Sequence, residues 1–284
     1  MKRFLNSILF TVFIATNFET QAQKAGTLFP QAPGMQTYTF RNSMKTNVAT
    51  ALDSIKLMGI TVVESSTNPN GLTPEAFRKL LDERKMISPS VGAGYDDLVK
   101  DPAGQAMKAK IIGASYIMTA WIPHKKEFTL EDAKKAAADF NKIGKVLREN
   151  GITFCYHTHG YEFVPYQGGT LFDYLVKNTD PRYVSFEMDI MWVFHGGGDP
   201  EKLLLKYPNR WKLMHLKDLR KGIKGDLTGG TSTDNDVALG TGQLNIPAIL
   251  RAAKKVGVKY YFIEDESSSF RQQVPQTMAY LKSL

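Results

Sequence analysis

The chain has little cysteine. A single residue, Cys155, among 284 excludes an internal disulfide and any cysteine-rich zinc module. It also lacks an uninterrupted apolar run of the ~20 residues that a spanning helix needs, so stable membrane insertion is not expected. No G-x-G-x-x-G turn follows the first predicted strand, which counts against a dinucleotide-binding open sheet. There is no internal linker and no low-complexity segment. What is plentiful is positive charge: 36 Lys and Arg against 28 Asp and Glu give +8. Alone, that balance suggests nucleic acid or an anionic surface. Much of the excess falls on helical stretches such as Lys134-Lys135 and Lys254-Lys255, where a solvated face accounts for it.

A 43% hydrophobic and 23% charged composition is that of a globular chain long enough to bury a core without staples. The first residues read differently. Lys2 and Arg3 precede an apolar stretch from Phe4 to Ala15, and Thr20-Gln21-Ala22 supplies small residues at a cleavage point. This is the pattern of a secretory signal peptide over residues 1–22, with export to the periplasm as its consequence. Residues 23–284 then form one domain of roughly 260 residues, the size of a single barrel. An exported chain with one thiol avoids mispairing if that thiol is buried, and Cys155 lies in an apolar strand.

From Gly34 onward short β-rich runs alternate with amphipathic helices. Strands are expected at 36–40, 60–65, 87–92, 116–120, 152–157, 183–189, 211–216 and 259–263. Helices are expected at 45–58, 74–85, 105–112, 129–150, 171–177, 200–207, 246–256 and 270–281. Thr73-Pro74 opens one helix, Thr129 and Asp132 open another, and Gly113, Gly151 and Gly257 close three. Eight strand–helix units of this length define an α/β fold, the parallel eight-stranded (β/α)8 TIM barrel. The loose stretch Lys221–Gln243 is long enough to be a functional loop.

Barrel chemistry lies at the C-terminal ends of strands. Here those ends carry Glu64, His157 and His159, Glu187 and Asp189, His215 and Lys217, and Glu264 and Glu266. Side chains alternate along a strand, so Cys155, His157 and His159 share one face and Phe154 and Tyr156 the other. The same phase puts Glu187, Asp189, His215, Lys217 and Glu264 inward. Two histidines and several carboxylates converging on a mouth make a site for one divalent cation, with Mn, Co, Fe or Zn suiting imidazole better than Ca. Trp121 and Trp192 follow strands four and six and can stack on a sugar. His124, His195 and Glu162 receive no catalytic role.

The pieces Tyr156-His157-Thr158-His159-Gly160, Glu187-Met188-Asp189-Ile190-Met191-Trp192, His215-Leu216-Lys217-Asp218 and Leu239-Gly240-Thr241-Gly242 resemble the xylose-isomerase-like barrels, or sugar phosphate isomerase/epimerase family. The resemblance covers the chain beyond residue 22. It implies a metal held by His157 or His159 with Asp189, His215 and Glu264, the metal being Mn, Co, Mg, Fe or Zn. His-Thr-His stands where epimerases of the family carry a glutamate. In this it is more similar to the inosose dehydratase and 3-keto-glycoside lyase branches.

The implied chemistry is proton abstraction beside a carbonyl. His159 is read as the ligand and His157 as the base, with Glu64 or Glu266 as alternatives, and Lys217 as a donor to the developing oxyanion. The expected substrate is a small-molecule sugar, keto-sugar or glycoside, and the export expected from residues 1–22 favours an unphosphorylated one. Isomerisation or epimerisation is the first expectation and β-elimination the second. A non-catalytic sugar-binding protein is the lesser alternative. The fold also serves abasic-site nucleases, but five histidines are too few for a three-zinc site, so no nucleic-acid partner is expected. A homo-oligomer is left open.

Overall fold

The computed structural model describes residues 28–284. The expected signal peptide, 1–22, lies outside the described residues. Eight parallel strands close a barrel: β1 Gly34–Gln36, β2 Val62–Ser66, β3 Ile87–Gly92, β4 Tyr116–Thr119, β5 Thr153–His157, β6 Val184–Asp189, β7 Trp211–Leu216 and β8 Tyr260–Ile263. Each strand pairs with its sequence neighbours, and β8 closes on β1. The barrel interior holds Met118, Cys155, Leu213 and Phe262, while Phe154, Phe186, Met188 and Leu216 belong to the larger core outside it. This is the division that the alternation predicts. Burial of each large apolar side chain contributes about 1.5–3 kcal/mol.

Local chemistry sets the helices. Thr129 and Asp132 form a reciprocal capping box at the start of helix Leu130–Glu149, as do Thr170 and Asp173 for Leu171–Asn178. Each box satisfies backbone donors that would otherwise be orphaned. Gly113 and Gly257 end their helices at φ 92° and 79°, a conformation that disfavours other residues.

Three expectations need correction. The first strand ends at Gln36, and Thr37–Phe40 is a 3-10 turn instead of strand. The Gln36 side chain ends the strand by accepting from Tyr38 N at 3.1 Å. The helix expected at 45–58 is two helices, Arg41–Thr46 and Val48–Leu57. Asn47 separates them with extended backbone and caps the second by accepting from Thr50 N at 3.1 Å. Two short helices, Tyr95–Lys100 and Ile190–His195, stand where loops were expected.

The stretch after β7 is a folded excursion. Asp218–Leu219 pairs antiparallel with Asp236–Val237. The Asp218 carboxylate accepts from the backbone N–H groups of Leu219, Gly240, Gly242 and Leu244 at 2.9–3.2 Å and pins the returning chain. Among the described residues, no helix is long and apolar enough to cross a membrane.

Candidate metal centre and the cavity above it

Strand register assembles the site. His157 lies opposite Glu187 across β5 and β6, and Asp189 lies opposite His215 across β6 and β7. All four are buried. His157, Asp189 and His215 offer one ligand atom each, all within 4.8 Å of one another. Asp189 Oδ2 is 3.9 Å from His157 Nε2 and 4.0 Å from His215 Nδ1. Donor atoms spaced about 3–4 Å apart suit a cation bound at ~2.1 Å.

Asp189 divides its two oxygens. Oδ1 accepts from Met191 N at 2.9 Å and Trp192 N at 3.0 Å and so caps helix Ile190–His195. Oδ2 is buried without a hydrogen-bond partner. A buried orphan carboxylate oxygen is costly unless something charged satisfies it. Burial pushes this carboxyl up to about 7, against the pull of Lys217. Burial, with His215 adding to it, brings the His157 imidazole down to about 3, which leaves it the neutral ring a metal ligand needs. For His215 burial opposes protonation, but Glu187 and Glu264 outweigh it and hold the imidazole well above its ordinary range. The donor set and the orphan oxygen together fit a divalent cation.

The other expected site residues fall into two groups. Glu264 Oε2 stands 3.1 Å from His215 Nδ1, beside the ligand cluster. Lys217 is buried and enclosed by carboxylates, with Nζ 2.6 Å from Glu266 Oε1, 3.5 Å from Asp236 Oδ2 and 3.6 Å from Glu264 Oε2. Burial alone would lower its pKa, but those carboxylates hold the ammonium well above the usual lysine range. Glu64 lies deep, within hydrogen-bond reach of Gln36, Ser90 and His215. His159 stands apart from the cluster and stacks on Trp192, ring centroids 4.7 Å apart. His159 covers one face of Trp192, and His124, 4.8 Å away, covers one face of Trp121; both indoles line the cavity, Trp192 buried and Trp121 43% exposed.

Above the cluster is a cavity of about 720 Å³, within the roughly 300–1,000 Å³ typical of small-molecule sites. His157, His159, His215, Glu264 and Glu266 reach it, and Tyr38, Trp121, Gly229 and Gly230 add to its walls. Glu187, Gln36, Ser90 and Asp236 were given no role from the sequence. Only Glu187 carried a signal, its inward phase two residues before Asp189.

A closed eight-stranded barrel with a buried histidine–carboxylate cluster at the C-terminal ends of its strands is a TIM-barrel enzyme architecture. The family model described as xylose isomerase-like TIM barrel matches residues 52–284. The chain belongs to that family. An inosose dehydratase of Clostridium tetani is 38% identical over 96 residues, 34% of this chain and 32% of that one. One from Bacillus anthracis is 35% identical over 100 residues, 35% of this chain and 33% of that one. The matched region thus spans about a third of the length of these curated relatives. A sugar phosphate isomerase/epimerase from Parabacteroides distasonis superposes with TM-score 0.74 at 22% identity, covering 89% of this chain and 98% of that one. The IOLI protein, solved with a bound zinc atom, gives TM-score 0.69 at 11% identity over 89% of this chain and 96% of that one.

Proposed function

We propose that this chain is a divalent-metal-dependent enzyme that removes the proton beside a carbonyl of a non-phosphorylated sugar, keto-sugar or glycoside. The observation that carries the reading is Asp189 Oδ2, buried and unpartnered between His157 Nε2 and His215 Nδ1. His157, Asp189 and His215 would hold the ion, with Glu264 beside them. A bound cation supplies Lewis-acid polarisation of a substrate oxygen. The zinc of the IOLI protein supports the assignment. Zn, Mn, Co or Fe suits the imidazole–carboxylate set, and Mg remains in the test panel.

With His157 turned toward the cation, the proton-transfer role falls to groups that face the cavity. Glu266 is one, and the Lys217 ammonium 2.6 Å away keeps its carboxylate oriented. His159 is the other, held in place by Trp192. Glu64 does not reach the cavity and takes no part in proton transfer. Return of the proton on another face or carbon gives isomerisation or epimerisation. Elimination of a β-substituent is the second reading. It is supported by the inosose dehydratase relatives and by His157 in place of a strand-five carboxylate. The proposal includes export, on the sequence of residues 1–22, and that favours an unphosphorylated substrate.

The test is incubation with Mn, Co, Mg or Zn and a panel of free sugars, 3-keto-glycosides and inososes in deuterated water. Exchange of one carbon-bound proton is expected, and the product separates isomerisation from elimination. Full activity in metal-stripped protein would overturn the reading.

A further inference from the structure

Each histidine of the proposed centre turns one nitrogen toward Asp189 and the other toward a carboxylate beneath it. His157 Nδ1 lies 3.3 Å from Glu187 Oε2 and its Nε2 faces Asp189. His215 Nε2 lies 2.6 Å from Glu64 Oε2, and its Nδ1 faces the cation side, with Glu264 Oε2 at 3.1 Å and Asp189 Oδ2 at 4.0 Å. Both lower carboxylates are fully buried. We propose that Glu187 and Glu64 are positioning residues that fix the tautomers of the two histidines, so that His157 presents Nε2 and His215 presents Nδ1 to the cation. The inference rests on the metal reading above and adds which atoms bind and what orients them.

Three observations carry it. A metal-bound imidazole keeps one N–H and gives its other lone pair to the ion. For His215 the shorter contact, Nε2 to Glu64 at 2.6 Å, therefore keeps the proton, and a cation held by Asp189 and Glu264 would displace the proton from Nδ1. Glu64 is itself locked: Gln36 Nε2 donates to Oε2 at 2.8 Å, and Ser90 Oγ donates to Oε1. Gln36 and Glu64 are also register partners across β1 and β2, so the orienting group is built into the barrel wall.

The competing possibility is a second, deeper cation among Glu64, Glu187 and His215, whose ligand atoms also converge. The His215 Nε2 to Glu64 Oε2 separation of 2.6 Å is that of a direct hydrogen bond and leaves no room for an ion between the two atoms. Glu64 already accepts from two protein donors besides His215. Glu187 Oε1 lies 3.3 Å from His215 Nε2, and Glu187 Oε2 is already engaged with His157 Nδ1.

Zinc affinity, measured by chelator competition on the full chain, tests the proposal. Glu64→Ala is expected to weaken binding by about 10–100-fold, the usual cost of losing a group that orients a ligand. Glu64→Gln, which keeps an acceptor of the same shape, should recover part of the loss. Glu187→Gln should weaken binding through His157. Because Glu64→Ala strands the Gln36 and Ser90 donors and can fail to fold, a second measurement uses no substitution. Long-range 15N–1H correlation on the zinc-loaded wild type should show Nδ1–H on His157 and Nε2–H on His215. The opposite tautomer on either ring overturns the proposal, as does wild-type affinity in both glutamine variants. Wild type that binds no zinc overturns the metal reading and this one with it. Wild type that binds zinc while the variants match it overturns this one alone.

Discussion

The imidazole of His159 lies face to face with the indole of Trp192, ring centroids 4.7 Å apart and planes 22° from parallel. Its Nδ1 is buried without a hydrogen-bond partner. His159 is thus a wall residue of the cavity, two positions beyond the histidine that faces Asp189. His157→Ala should lower zinc affinity by more than about 100-fold, beyond the loss from an orienting neighbour. His159→Ala should leave zinc affinity close to wild type while turnover falls. Titration of both variants with zinc, beside the deuterium-exchange assay, separates the two roles.

Asp218 satisfies four backbone donors with one carboxylate. Asp218→Ala would leave those N–H groups in a largely buried corner, and a loss of about 2–4 kcal/mol is expected. Urea unfolding measures it. Asp218→Asn, which keeps one acceptor oxygen, should cost less than the alanine change.

Glu162 accepts from His159 N at 2.9 Å through Oε1, while Oε2 is buried without a partner. Burial pushes its carboxyl up to about 7 from an ordinary 4.5. Between those values the folded chain holds a proton that the unfolded chain has released. The Glu162 contribution to stability therefore declines as pH rises through that window. Glu162→Gln should remove this slope and gain on the wild type by up to about 3 kcal/mol between pH 5 and pH 8. Urea unfolding at the two pH values checks the sign; a wild-type advantage that grows with pH would contradict it.

Gly229 has φ +67°, and a Cβ there would meet Tyr161 Cδ1 at 2.7 Å and the His159 carbonyl at 3.1 Å. Gly229→Ala should cost about 1–3 kcal/mol of backbone strain. Because the crowded neighbours carry His159, kcat/KM should fall while zinc affinity holds. Loss of zinc binding in this variant would show that loop and metal centre are not independent.

The fold was legible because its signals are local and repeated. Ile87–Gly92, Trp211–Leu216 and Ile246–Val256 carry the expected bounds, and the Thr129–Asp132 cap forms as read. Helix Ile190–His195 was not legible: its six residues are nearly all apolar and show no amphipathic period, and its cap is the same Asp189 that faces the centre. At the site, period two was enough to turn His157, Asp189, His215 and Glu264 inward. It could not tell His157 from His159, since both share a phase. That distinction depends on where β5 ends, at His157, and on Trp192 arriving from the next unit to take up His159. Nor could it reveal Gln36 and Ser90 as partners of Glu64, because those contacts exist only once β1, β2 and β3 lie side by side.

The centre and its carboxylate support stand on β1, β2, β3, β5, β6 and β7, whereas Trp121, Gly229 and Gly230 come from the connections that follow strands. For an engineer this makes the molecule a socket with a replaceable collar. Grafting a different segment between Asp218 and Asp236 would change which molecule is admitted and how His159 is seated, while His157, Asp189 and His215 would have no reason to move.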